Sequence, residues 1–287
     1  MIVGCGYTGR RLASRCMANG DDVLAVVRSQ ASLDLLKSDG VPAVQTDLDD
    51  DCRLAPGRRA RYVYMVPPPS SGITDPRIAR WLSAISCAPE RIVYLSTTGV
   101  YGDCEGRTVD EDTPPHPDSD RARRRLDAET RLLDYGARCG ARIVILRVPG
   151  IYGPGRLPLQ RLQSGQPVPR DGETGPGNRI HVDDLVSTCV AAIHYGGPSQ
   201  VFNVGDGNDA SMGEYFRLVA RLADLPSPPQ LPLDTLLERV SPAMRSFLGE
   251  SRRVDVSRMR QDLGVEPEYN DLEAGIRASL DEERSRG

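Results

Sequence analysis

Short runs of β-branched and apolar residues alternate along the chain with stretches whose apolar positions recur every three or four residues. Seven of the runs read as strands, at residues 1–3, 23–27, 43–46, 62–66, 92–96, 142–147 and 201–204. Between the first two, Leu12, Ala13, Cys16 and Met17 fall on one helical face, and Asn19-Gly20 supplies the stop. Asp75-Pro76 reads as an N-cap followed by proline at the first helical position, opening a helix through Trp81 and Ile85. Ser211 and Glu214 have capping-box spacing ahead of a helix carrying Phe216, Val219 and Leu222. Strand and helix alternating in this way predict an α/β fold, a doubly wound Rossmann-type parallel sheet.

Directly after the first strand and before the first helix stands Gly4-Cys5-Gly6-Tyr7-Thr8-Gly9, a G-x-G-x-x-G loop. In that context the first glycine permits the turn, the second admits a pyrophosphate and the third lets helix pack on strand, while the amides of Tyr7 and Thr8 face the phosphates. Dinucleotide folds usually place an acid at the end of the second strand to bind a ribose 2′-hydroxyl. Here that strand ends in Val27-Arg28-Ser29. A guanidinium there grips a 2′-phosphate that a carboxylate would repel, so NADP(H) is the expected cofactor, with NAD, FAD and S-adenosylmethionine disfavoured. The plainer alternative for Arg28 is a solvated charge at a strand end.

Composition narrows the partners. Across 287 residues, 36 basic side chains face 40 acidic ones, a net charge of -4. That gives no global basic field for nucleic acid or an anionic membrane. Lys37 is the only lysine, which nearly excludes a lysine-dependent mechanism. No apolar run is long enough for a membrane span, and the chain opens straight into strand and glycine loop, so a cytoplasmic location is expected. The seven cysteines, Cys5, Cys16, Cys52, Cys87, Cys104, Cys139 and Cys189, are scattered without C-x-x-C spacing. They read as reduced thiols, with neither a disulfide framework nor a metal site.

Further strings recur in a fixed order: Thr46-Asp47-Leu48, Ser96-Thr97-Thr98-Gly99-Val100-Tyr101-Gly102, Arg147 to Pro154, Arg179 to Leu185, and Phe202-Asn203-Val204-Gly205. With the glycine loop, they make nearly the whole chain resemble the extended and atypical branches of the short-chain dehydrogenase/reductase superfamily, the NAD-dependent epimerase/dehydratase-like proteins. The resemblance implies that Asp47 and Leu48 lie beside the adenine, Val66 and Pro67 beside the cofactor ribose, and Pro149 with Gly150 near the nicotinamide. It places Thr97 where the family keeps a hydroxyl on the reacting oxygen; the alternative is a strand-end hydroxyl bonding local backbone. The chain departs from the family at Tyr-x-x-x-Lys, since Arg121 takes the tyrosine position and Arg125 the lysine position. Arginine stays protonated, so Arg121 is no ordinary acid or base. The two arginines read either as a clamp for an anion or the nicotinamide ribose, or as a solvated helix face. Tyr101, Tyr152 and His181 remain as proton donors, each with a packing role as the alternative. Gly177 stands where nucleotide-sugar members tend to carry an arginine, which weakens a sugar-nucleotide substrate.

The domains expected are a dinucleotide-binding Rossmann domain over 1–150 that also uses about 179–205, a smaller substrate-binding lobe from 151–178 and 206–270, and a C-terminal helix over 271–287. The function expected is an NADP(H)-dependent oxidoreductase or epimerase-like enzyme acting on a small carbonyl or hydroxyl compound. The alternative is a catalytically silent NADP(H)-binding sensor. Partners reduce to a small-molecule substrate and a second copy of the chain in a homodimer.

Overall fold

The computed structural model describes residues 1–50, 60–240 and 242–286, so Cys52 lies outside the described residues. Seven strands form one parallel sheet: β1 (Ile2–Val3), β2 (Ala25–Val27), β3 (Ala43–Gln45), β4 (Arg61–Tyr64), β5 (Arg91–Thr97), β6 (Arg142–Val148) and β7 (Gln200–Asn203). They lie in the order β3-β2-β1-β4-β5-β6-β7, close to the seven runs read from the sequence. The order turns back at β1, which pairs Val3 with Val26 on one side and with Tyr64 on the other. Connections leaving β1 and β4 in opposite directions open a crevice beyond the carboxyl ends of these strands.

The central strands are predominantly apolar because both sheet faces are covered there, whereas the edge strand β3 is exposed at Val44 and Gln45. On one face Ile2, Val27, Val63, Val93 and Leu146 pack with Leu12, Ala13 and Cys16 of α1 (Tyr7–Ala18) and with Leu185, Cys189 and Ala192 of α5 (Val182–His194). On the other, Val3, Tyr62, Tyr64, Ile92 and Ile145 pack with Ile78 and Trp81 of α3 (Pro76–Ala84) and with Ala128 and Leu132 of α4 (Asp120–Cys139). Successive residues of one strand thus serve opposite cores, the period of two that a strand imposes. Met17, expected on the buried face of α1, is 38% exposed; the buried stripe there runs Thr8, Gly9, Leu12, Ala13, Cys16 and ends one position earlier.

The caps form as the sequence implies. Asp75 accepts the amides of Arg77 (3.0 Å) and Ile78 (3.3 Å) ahead of Pro76. Ser211 and Glu214 close a reciprocal box at the start of α6 (Met212–Leu222). Ser29 caps α2 (Gln30–Ser38) and Ser119 caps α4.

A third apolar cluster gathers Tyr152, Leu162, Val168, Tyr215, Phe216, Val219 and Leu236 with Leu272, Ile276 and Leu280 of α7 (Leu272–Arg286). Parallel pairings of Gly150–Tyr152 with Arg179–His181, and of Thr108–Val109 with Arg253–Val254, tie this part of the chain to the carboxyl edge of the sheet. Among the described residues, no helix is long and apolar enough to cross a membrane.

Candidate functional site

The three loop glycines differ in what surrounds them. Gly4 has φ +84°, and a Cβ there would come within 2.9 Å of the Val66 amide nitrogen, so both backbone conformation and space require glycine. At Gly6 an added Cβ would meet nothing nearer than the Gly4 carbonyl at 4.0 Å, leaving that side open to a ligand. At Gly9 it would touch Cys5 Sγ at 3.2 Å, since helix and strand pack closely there. The amides of Tyr7 and Thr8 find no acceptor among the described residues, and Gly6 offers no side-chain cap, in contrast to α2, α3, α4, α5 and α6. An uncapped helix start beside an open glycine is a ready anion site.

A cavity of about 450 Å³ runs from this loop along the carboxyl ends of β1 and β2. Its lining includes Gly4, Gly6, Arg28, Ser29, Thr46, Asp47, Leu48, Val66 and Pro67, which the sequence points to, and Ser32 and Arg77, which it does not. Ser29 Oγ and Ser32 Oγ are 2.8 Å apart. Arg28 makes no side-chain hydrogen bond or ion pair with any described residue, whereas Arg77 is held by both oxygens of Asp49 at 2.7 and 2.6 Å. That pairing holds the Asp49 carboxyl below the usual carboxylate range.

A second cavity, of about 280 Å³, opens at the end of β5. Thr97, Arg121, Pro149, Gly150, Arg179, Glu250 and Arg252 are among its lining. Thr97 Oγ1 accepts the Gly99 amide at 3.2 Å, and because a hydroxyl has a second lone pair and a proton, it keeps a donor for the cavity.

Two expected catalytic residues are corrected by their surroundings. Tyr101 is 1% exposed, and its hydroxyl donates to Asn203 Oδ1 (2.7 Å) and accepts from Arg147 (2.9 Å), so it reaches neither cavity. Burial pushes its phenol pKa up, against partial relief from the Arg147 charge. Arg125 donates to the Val66 carbonyl (3.2 Å) and to Tyr94 Oη (3.1 Å), so the lysine position braces the crevice wall instead of entering a cavity. Tyr152 and His181 take the packing role. The His181 ring lies between Tyr152 and Tyr269, accepts the Asp183 amide and meets Ser279 Oγ at 3.2 Å, and burial holds its pKa down to about 4. The Tyr7 hydroxyl donates to the Pro154 carbonyl at 2.8 Å, linking the glycine loop to the segment after β6.

Sequence patterns alone miss the far wall of the second cavity, Thr174 to Arg179 with Met212, Leu248, Glu250 and Arg252. Of these only Arg179, in a recognised string, and Gly177, at the family's arginine position, are marked by the sequence. They also miss the buried Arg147–Glu129 ion pair at 2.8 Å, in which Glu129 further accepts Ser96 Oγ beneath Thr97.

The NAD dependent epimerase/dehydratase family matches residues 77–205. The protein YeeZ of Escherichia coli K12 is 28% identical over 285 residues, covering 94% of this chain and 96% of that one. A UDP-glucose 4-epimerase of Azospirillum brasilense is 29% identical over 225 residues, 68% of this chain and 61% of that one. Among solved structures, a functionally unknown conserved protein from Silicibacter pomeroyi DSS superposes with a TM-score of 0.80 at 28% identity, covering 98% of this chain and 97% of that one. By fold, loop and relatives together, this chain is similar to the NAD-dependent epimerase/dehydratase-like proteins of the extended short-chain dehydrogenase/reductase superfamily.

Proposed function

We propose that the chain is an NADP(H)-dependent oxidoreductase or epimerase-like enzyme acting on a small carbonyl or hydroxyl compound. The observation that carries the cofactor is the rim of the larger cavity, where Arg28, with no hydrogen-bond or ion-pair partner among the described residues, stands at the end of β2 beside Ser29 and Ser32 of the first turn of α2. A guanidinium with two hydroxyls suits a 2′-phosphate, while the open side of Gly6 and the uncapped amides of α1 suit a pyrophosphate. Held by the glycine loop, Arg28 and Ser29, NADPH would supply hydride for a carbonyl carbon.

The protein's own part falls to Thr97, whose free donor stabilises the oxygen as charge develops on it. Arg121 cannot give up a proton, so the proton that completes the alcohol comes from water in the open cavity. Support for enzymatic chemistry comes from the family description and from the relative named as a UDP-glucose 4-epimerase.

Calorimetric titration with NADPH and NADH tests the cofactor, followed by NADPH absorbance across a panel of ketones, aldehydes and sugar nucleotides. We expect tighter binding of NADPH, weakened roughly ten- to a hundredfold in Arg28→Ala with NADH little changed. Tighter NADH binding, or an unaffected variant, rejects the NADP(H) assignment. Tight cofactor binding without consumption across the panel favours the silent sensor.

A further inference from the structure

Four arginines open α4, and three are spent on the protein itself. Arg123 pairs with Asp120 at 2.8 Å, Arg124 donates to the Gly72 carbonyl, and Arg125 to the Val66 carbonyl and Tyr94. Arg121 makes no hydrogen bond or ion pair with any described residue, and it borders the same cavity as Thr97.

The opposite wall adds a second cation without a close ion pair. Arg179 is only 7% exposed, lies 4.5 Å over the Tyr215 ring, and donates to the carbonyls of Gly177, Ala210 and Ser211. No carboxylate among the described residues is within ion-pair distance of it. A Cβ at Gly177 would fall 2.5 Å from its guanidinium, so that glycine leaves the room Arg179 occupies. Arg252, by contrast, is neutralised by Glu250 at 2.9 Å. Three arginines against one carboxylate leave the lining with two formal positive charges (3 − 1). Arg179 is offset at longer range by Asp206 and Glu214 and by its three carbonyl acceptors, so the charge left for an entering anion to neutralise is that of Arg121 at the cavity mouth.

We infer that the substrate carries an oxyanion, a carboxylate or a phosphate, held by Arg121 in the cavity where Thr97 meets the reacting oxygen. The inference rests on the hydride-transfer reading, because it takes Thr97 as the partner of that oxygen. At about 280 Å³ the cavity is at the small end of ligand sites, typically about 300–1,000 Å³, which suits a small metabolite.

The test is calorimetry on the full chain saturated with NADP⁺, titrated at constant ionic strength with sodium oxalate in one arm and inorganic phosphate in the other. Wild type should bind one of them saturably, and the arm that binds distinguishes carboxylate from phosphate. Arg121→Gln should weaken that binding roughly ten- to a hundredfold, while Arg123→Gln, which removes a charge from the same helix outside the cavity, should not. Arg121 is exposed and unpartnered, so its replacement leaves the fold intact. No saturable binding in either arm, or equal affinity in Arg121→Gln, overturns the inference. NADP⁺ affinity is measured separately on each protein. If NADP⁺ itself fails to bind, the hydride-transfer reading falls, and the comparison of wild type with Arg121→Gln on the unloaded protein still decides the role of Arg121.

Discussion

A Cβ placed on Gly4 would lie 2.8 Å from Cγ2 of Val66. The two residues lie just beyond the carboxyl ends of β1 and β4, at the reversal of strand order, so their contact sets the floor of the crevice. Gly4→Ala must push Val66 away and also adopt φ +84° with a side chain. We predict a loss of stability of roughly 1–3 kcal/mol in urea denaturation, with NADP(H) binding weakened at least about tenfold. Unchanged stability and affinity together would show that the loop relaxes freely.

The hydroxyls of Thr97 and Tyr101 have separate jobs. Thr97→Ala should lower turnover roughly ten- to a thousandfold through loss of a hydrogen bond to developing charge, and leave cofactor affinity nearly unchanged. Tyr101→Phe strands Arg147 and Asn203 in a buried site, so it should cost roughly 1–3 kcal/mol of stability and leave the pH profile of turnover unmoved. A fully stable Tyr101→Phe protein without turnover would return the phenol to the chemistry.

Two buried groups pull stability in opposite directions with pH. Burial raises the Asp206 carboxyl from 3.8 to about 7; its Oδ2 has no hydrogen-bond partner. The folded protein therefore holds a proton that the unfolded chain releases, and this contribution is full below pH 3.8 and lost as pH rises through about 7. His181 falls from 6.5 to about 4, so its contribution is full above pH 6.5 and lost as pH falls toward 4. Asp206→Asn should stabilise the protein by roughly 3 kcal/mol at pH 8 and hardly at all at pH 4, uncovering the acid loss due to His181. Urea melts at pH 4, 6 and 8 read this directly, and an equal effect at all three rejects the assignment.

The features that depend on near neighbours in the chain are determined by the sequence itself. The glycine loop is complete within six consecutive positions, and its three glycines meet three different surroundings that their spacing already implies. The sheet is legible because strands buried on both faces are continuous apolar runs, and the caps at Asp75 and Ser211 because a capping side chain and its amides are two or three residues apart.

What only the tertiary structure decided is where side chains of similar sequence context end up. Tyr101 lies in a cleft-like string, yet its hydroxyl is closed off by Arg147 and Asn203, which are 46 and 102 residues away. Arg121 and Arg125 are one helical turn apart, but Arg125 lies over Tyr94 and the end of β4 and finds partners, while Arg121 stands a turn earlier, beside the cavity. The second cavity draws its walls from β5, α4, the segment around Arg179 and the stretch around Arg252. Which cations face a ligand is a property of those long-range contacts, since burial and pairing depend on what packs against each guanidinium and not on its neighbours in the chain.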